Sequence, residues 1–274
     1  MTDWRDDRPA TAGFSIADWA RILGRGAIFG AVTFGGLAIL LAVRLIEAPL
    51  FRAHRPWTPY ITQAVCKLAF VILRISLSVR GRPMQRDGAM VSNHCSWLDI
   101  FALNACARIY FVAKAEVGTW PGIGWLARGT GTVFIARKGT EAKKHQAVFE
   151  ERLRAGHRLL FFPEGTSTDC LRMLPFKTTL FEAFYTHGLD REMYIQPVSL
   201  IYRAPDGSDP RFYGWYSDMD FASHLLLVLA QKPQGRVEIV FHPEVPVDGF
   251  EGRKALATHC ERVVRAGLPP TIQS

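Results

Sequence analysis

The sequence is poor in the signatures that usually identify an enzyme. Its five cysteines, Cys66, Cys95, Cys106, Cys170 and Cys260, are odd in number, scattered, and form no CxxC pair. That pattern argues against a disulfide framework and a cysteine zinc site, and it fits a reducing compartment. The chain has no GxSxG nucleophile elbow, no HExxH zinc motif and no Walker A loop. Gly122-Ile123-Gly124 followed by Ala127 is a poor dinucleotide loop, with no convincing helix expected after it. No repeat or low-complexity linker marks a second large domain. The net charge is +8, but no helix–turn–helix, zinc-finger or aromatic RNA-binding pattern accompanies it, so no nucleic acid partner is expected. A basic surface serves anionic lipids and anionic substrates equally well.

What the chain does have begins with apolar surface. Hydrophobic residues make up 49% and charged residues 21%, so an ordered fold is expected over its 274 residues. Residues 26–43 carry no charge and are bracketed by Arg25 and Arg44. The length is near the lower limit for a helix crossing a bilayer, and flanking cations suit headgroups. Gly26 and Gly30 make one GxxxG spacing. After Pro59, the apolar residues Ile61, Val65, Leu68, Ala69, Ile72 and Leu73 recur at helical spacing, as in a half-buried interfacial helix. The expected organisation is a membrane-anchoring segment over 1–74 and a catalytic domain over 75–274.

The catalytic domain alternates strand-like and helix-like runs. Strands are expected at 75–80, 89–92, 109–112, 132–135, 159–162, 194–202 and 236–241, with helices at 96–106 and 140–155. Such alternation predicts an α/β fold, a mixed sheet flanked by helices, with function at strand ends. Two strand ends carry chemistry. Asn93-His94-Cys95-Ser96-Trp97-Leu98-Asp99 offers an imidazole with a carboxylate five positions on. Phe161-Phe162-Pro163-Glu164-Gly165-Thr166 offers a turn with exposable N–H groups and one carboxylate. Together they read as a base, its orienting acid and a polar cradle for an anionic group. The fitting chemistry is proton removal from a hydroxyl that attacks a carbonyl. Cys95 reads as packing filler rather than as a thiol nucleophile, because adjacent residues point apart.

His94 through Asp99 resembles the HX4D motif of the PlsC-type glycerolipid acyltransferases, the 1-acylglycerol-3-phosphate acyltransferase superfamily. Gly131-Thr132-Val133-Phe134-Ile135-Ala136-Arg137, Phe162-Pro163-Glu164-Gly165-Thr166 and Ile195-Gln196-Pro197-Val198-Ser199 are similar to its other three blocks, in the same order across residues 75–245. The resemblance implies a glycerol-3-phosphate acyltransferase-like fold and transfer of a fatty acyl chain from acyl carrier protein or coenzyme A to a lysolipid hydroxyl. It implies His94 as general base, Asp99 as the group that holds the imidazole, and Arg137, Glu164, Gly165, Thr166, Ser167 and Lys177 at the substrate. Neither a metal nor a cofactor is implied. The implied partners are the lipid bilayer, acyl carrier protein and the lysolipid. The implied location is a bacterial inner membrane, with the catalytic domain towards the cytoplasm.

One departure bears on the acceptor. Lysophosphatidate acyltransferases usually carry Arg after Glu-Gly-Thr, whereas this chain has Ser167, and Asp169 follows two positions on. A carboxylate near a phosphate is repulsive, while an amine would suit it. The pattern resembles the bacterial enzymes that acylate lyso-ornithine lipid. Lysophosphatidate remains the alternative acceptor, alone or alongside. Two other classes remain open: a thioesterase in which the same base activates water, and a lipid-binding relative without catalysis.

Overall fold

A computed structural model of the chain describes residues 4–7, 9, 13–135 and 142–272. Helix α1 runs over Ile16–Phe51, well beyond the apolar core of the sequence. It starts where a capping box starts it: Ser15 Oγ accepts the N–H of Asp18, and Asp18 accepts the N–H of Ser15 at 2.8 Å. Helix α2, Thr58–Leu73, folds back against α1. Glu47 of α1, fully buried, accepts from the N–H groups of Trp57 (2.7 Å) and Thr58 (3.0 Å) and from the Thr58 hydroxyl (2.8 Å). One carboxylate thus satisfies the orphan donors at the start of the second helix. The helices touch at Gly36, where an added Cβ would lie 2.3 Å from Val65 Cγ2. Gly30, of the GxxxG spacing, faces open space instead.

Seven further strands and helices follow the pattern that the sequence predicts, within about two residues at most boundaries. They are β1 (Ser76–Arg80), β2 (Gly88–Ser92), α3 (Leu98–Cys106), β3 (Tyr110–Lys114), β4 (Val133–Ile135), α5 (Ala142–Arg154) and β5 (Leu159–Phe161). The strand candidates at 194–202 and 236–241 are β6 (Tyr194–Arg203) and β7 (Arg236–Phe241). Among the described residues, short 3-10 turns aside, four elements have no sequence expectation: α4 (Ile123–Thr130), α6 (Phe221–Ala230), β8 (Val245–Pro246) and α7 (Arg253–Gly267). Helix α4 corrects the reading of Gly122, since a helix does follow it. The sheet order is β1-β7-β6-β2-β5-β3-β4, with β8 beside β6. Strand β6 is antiparallel to β7 and parallel to β2, so the sheet is mixed as expected.

Each face of the sheet is covered, which is why β2 is buried at every residue. Ala89 and Val91 point into a layer that includes Phe149, Phe161, Leu256 and Val264, while Met90 points into the other layer. That second layer joins Ile22, Phe29, Phe70 and Leu73 to Ile75, Leu98 and Leu103. The outer side of α1 is different: Leu23, Ile28, Ile39, Leu45 and Ile46 are exposed, and the helix is long and apolar enough to cross a bilayer. Strands β2 and β5 lie side by side and parallel, so both chemistry-bearing segments leave the sheet at the same edge.

Candidate active site

His94 leaves β2 and Asp99 sits in the first turn of α3. The turn between them brings His94 Nδ1 to 2.7 Å from Asp99 Oδ2. The same oxygen accepts the N–H groups of Cys95 (2.8 Å) and Ser96 (3.1 Å). Asp99 is fully buried, and His94 keeps a partly exposed ring. An ionised carboxylate at Nδ1 fixes the tautomer with its proton there and its lone pair on Nε2. The His94 ring stacks on Phe162, centroids 4.0 Å apart at 11°, and Phe162 in turn stacks near Phe111. The imidazole is therefore fixed on one side by charge and on one face by an aromatic ring.

Glu164 and Gly165 arrive from the end of β5. Glu164 is 1% exposed, and its two oxygens accept the N–H of His94 (2.7 Å) and the N–H of Leu174 (2.6 Å). Burial pushes its carboxyl up to about 8, against the pull of those two N–H groups. Both of its oxygens are committed to backbone N–H groups. Gly165 has φ of 72°, the left-handed region, as the tight turn requires. Its N–H closes that turn onto the Phe162 carbonyl at 3.0 Å. Lys177, exposed, lays its ammonium against Gly165. Thr166 is half-buried beside them.

Two other expected contacts fall elsewhere. Ser167, 9% exposed, donates its hydroxyl to the Trp215 carbonyl. Asp169, 1% exposed, accepts from Arg172 Nε at 3.0 Å and from the N–H of Leu171 at 3.1 Å. Its charge is matched inside the loop by Arg172. Arg137 lies outside the described residues. Cys95 is buried beside Cys170, and that contact together with burial pushes its thiol well up, which removes it as a thiolate nucleophile.

Other residues complete the constellation. Tyr202 donates to Asp99 Oδ1 at 2.5 Å. Asn93 bonds to the backbone of Leu200 through both ends of its amide. Trp97 donates to His224 Nδ1 at 2.8 Å, and burial holds the His224 ring neutral, down to about 4. Only the position of Asn93 beside His94 is visible in sequence; Tyr202 and His224 reach the site from 103 and 125 residues after Asp99, with no local pattern to announce them. Trp97, Phe101 and Phe111 also line an almost wholly apolar cavity of about 370 Å³, closed by Phe29, Gly36 and Val65 of the helical pair.

Comparison with known proteins places the chain in one family. The acyltransferase family pattern matches residues 77–201. The chain is 60% identical to a lyso-ornithine lipid O-acyltransferase from Rhodobacter capsulatus, over 96% of this chain and 94% of that protein. It is 34% identical to the protein of the same name from Pseudomonas aeruginosa, over 90% and 93%. A 1-acyl-sn-glycerol-3-phosphate acyltransferase from Neisseria gonorrhoeae is 32% identical over 74% of this chain and 78% of its own. The crystal structure of the 1-acyl-sn-glycerophosphate acyltransferase PlsC from Thermotoga maritima superposes with a TM-score of 0.58 at 23% identity, over 89% of this chain and 95% of that one, which shows a shared fold.

Proposed function

The chain belongs to the acyltransferase family, and from that premise we propose that it moves a fatty acyl chain from a thioester to the hydroxyl of lyso-ornithine lipid at a membrane surface. The observation that carries the mechanism is the 2.7 Å contact between His94 Nδ1 and Asp99 Oδ2. With Nδ1–H donated to Asp99, Nε2 is the basic atom. It takes the proton of the acceptor hydroxyl as that oxygen attacks the thioester carbonyl carbon. Asp99 stabilises the imidazolium that forms. Collapse of the tetrahedral intermediate forms the new ester and expels the sulfur, which leaves as a thiol with the proton returned from Nε2. Atoms and charges balance without a covalent enzyme intermediate.

The apolar cavity beside Trp97 suits an acyl chain, and the exposed face of α1 suits lipid tails. The ornithine head carries a carboxylate as well as an amine, and the Lys177 ammonium beside Gly165 supports a contact to that carboxylate. The same ammonium supports the second reading, a lysophosphatidate acceptor. Acyl carrier protein is the proposed donor carrier and coenzyme A the alternative. The proposed location is a bacterial inner membrane with the site facing the cytoplasm.

The test is an acceptor panel with the full chain in membranes. Labelled acyl-acyl carrier protein and acyl-coenzyme A are offered with lyso-ornithine lipid, lysophosphatidate or neither. Ornithine lipid formation, lost in His94→Ala, is the expected result. Turnover on lysophosphatidate alone would move the assignment to the second acceptor. Release of free fatty acid without acceptor makes the protein a thioesterase, and wild-type turnover by folded His94→Ala removes the base.

A further inference from the structure

Asp99 has two oxygens, and only one faces the imidazole. Oδ2 takes His94 Nδ1 and the N–H groups of Cys95 and Ser96. Oδ1 takes the hydroxyl of Tyr202 at 2.5 Å, in a site where both side chains are buried. A carboxylate can turn about its Cβ–Cγ bond, and its oxygens are equivalent until something distinguishes them. Here Cys95 and Ser96 hold Oδ2 from the loop, and β6 holds Oδ1.

The placement of Tyr202 follows from Asn93. The regular pairing of β2 with β6 ends at Ser92 opposite Val198. The Asn93 amide then continues it with a side chain, donating Nδ2 to the Leu200 carbonyl (2.9 Å) and accepting the Leu200 N–H at Oδ1 (2.8 Å). The strand is thus pinned to the loop that carries His94. Leu200 and Tyr202, two residues apart, share a face of the strand. Tyr213 packs on the Tyr202 ring, centroids 5.7 Å apart.

We propose that Tyr202 is a positioning residue for the His94–Asp99 pair, its hydroxyl holding the carboxylate so that Oδ2 alone meets the imidazole. The proposal rests on the acyl-transfer reading of that pair. The other titratable groups around it among the described residues are Cys95 on the loop after β2, Glu164 and Cys170 on the loop after β5, and Tyr213 against the Tyr202 ring. Burial and the neighbouring Asp99 hold the Tyr202 phenol protonated, so it is a standing donor. Its donation also tempers the carboxylate, since a hydrogen bond to the charged form lowers basicity.

Tyr202→Phe keeps the ring and removes the donor. The carboxylate, still held at Oδ2 by two backbone N–H groups, loses its second anchor and its fixed plane, and its greater basicity favours the imidazolium. The expected result is a fall in kcat of roughly 10- to 100-fold with KM for both substrates unchanged, as for a misplaced catalytic group. The acid limb of the kcat/KM profile is expected to move to higher pH by about half a unit, because more alkali is needed to free the base. A purely structural tyrosine would lower the yield of folded protein and leave that limb in place. Should Tyr202→Phe not fold, 3-fluorotyrosine placed at 202 is nearly isosteric and a stronger donor, and it should move the limb to lower pH. An unmoved limb in whichever folded variant is measured overturns the proposal. Wild-type turnover by His94→Ala overturns the underlying reading instead, while an inactive His94→Ala with an unaltered Tyr202→Phe removes only the role of Tyr202.

Discussion

The backbone N–H of His94 donates to Glu164 Oε1 at 2.7 Å, so the loop after β5 holds the loop after β2 by one buried carboxyl. The second oxygen holds Leu174, ten residues further along its own loop. An amide has one acceptor oxygen where the carboxyl has two. Above about pH 8, where the carboxyl is ionised and both oxygens accept, Glu164→Gln therefore leaves one of the two N–H groups facing an NH2. Leaving a buried donor unsatisfied costs about 1–3 kcal/mol. For a chain of this size that lowers Tm by roughly 2–4 °C per kcal/mol. The His94 loop is expected to loosen, with kcat reduced more than KM is raised. An unchanged Tm together with unchanged kcat would remove the bridging role.

The same carboxyl makes stability depend on pH. Burial raises it to about 8 in the folded protein from 4.5. The folded state therefore keeps a proton that the unfolded chain releases. This contribution is fully present below about pH 4.5 and is lost as pH rises through about 8. Wild-type protein should lose stability between pH 5 and pH 8.5 relative to Glu164→Gln, which has nothing to titrate there. Denaturation midpoints of the two proteins at both pH values check it. A constant difference between them would show that the carboxyl is ionised throughout.

The strands and their order of chemistry are legible in the sequence because their signals are local. The apolar run before Asn93, and the one before Pro163, mark buried strands, and the HX4D spacing reaches only one turn of α3. The roles within the second segment are not legible in that way. Glu164 reads as a substrate contact because its type is polar and it lies at a strand end. Its burial depends on Leu174 and on β2, which no local pattern relates. Asp169 reads as a free charge for the same reason, and Arg172 three positions on answers it. The apolar run understates the extent of α1, because its first turns mix Arg21 and Arg25 with apolar residues. Those two arginines donate to the carbonyls of Leu229, Ala230 and Gln231 at the end of α6, an element without a sequence expectation.

The helical pair should be sensitive at one glycine in particular. Gly36 stands where α1 and α2 approach most closely, with Val65 in the space that a side chain would need. Gly36 and Val65 also line the apolar cavity. Gly36→Leu forces the helices apart, at a cost of about 1–3 kcal/mol typical of overpacking. Gly35→Leu, one residue away, adds the same bulk where an added Cβ meets nothing and outside the cavity lining. The first variant should melt lower and turn over more slowly in detergent, while the second behaves as wild type. Equal melting of the two would show that the helix crossing does not limit stability.

Acceptor choice is expected to be insensitive to Asp169, contrary to what its charge alone suggests. The side chain is 1% exposed, pairs with Arg172 and receives the Leu171 N–H. Asp169→Asn keeps the shape and one acceptor oxygen but removes the charge that Arg172 meets. The loss falls on the loop, because a half-exposed arginine retains water when its partner goes. Melting should shift down by a degree or two, on the order of half a kcal/mol. The ratio of kcat/KM for lyso-ornithine lipid over lysophosphatidate should stay within about twofold of wild type, since that ratio reports differential transition-state binding alone. Lys177→Ala should behave the opposite way. Its ammonium is exposed at the Gly165 turn and holds no carboxylate among the described residues, so its removal leaves the fold intact. Use of both acceptors should fall, and more steeply for lysophosphatidate, whose dianionic phosphate gains more from a cation than a single carboxylate does. A ratio that moves with Asp169→Asn and not with Lys177→Ala would place the reading of the head group on the wrong side of this loop.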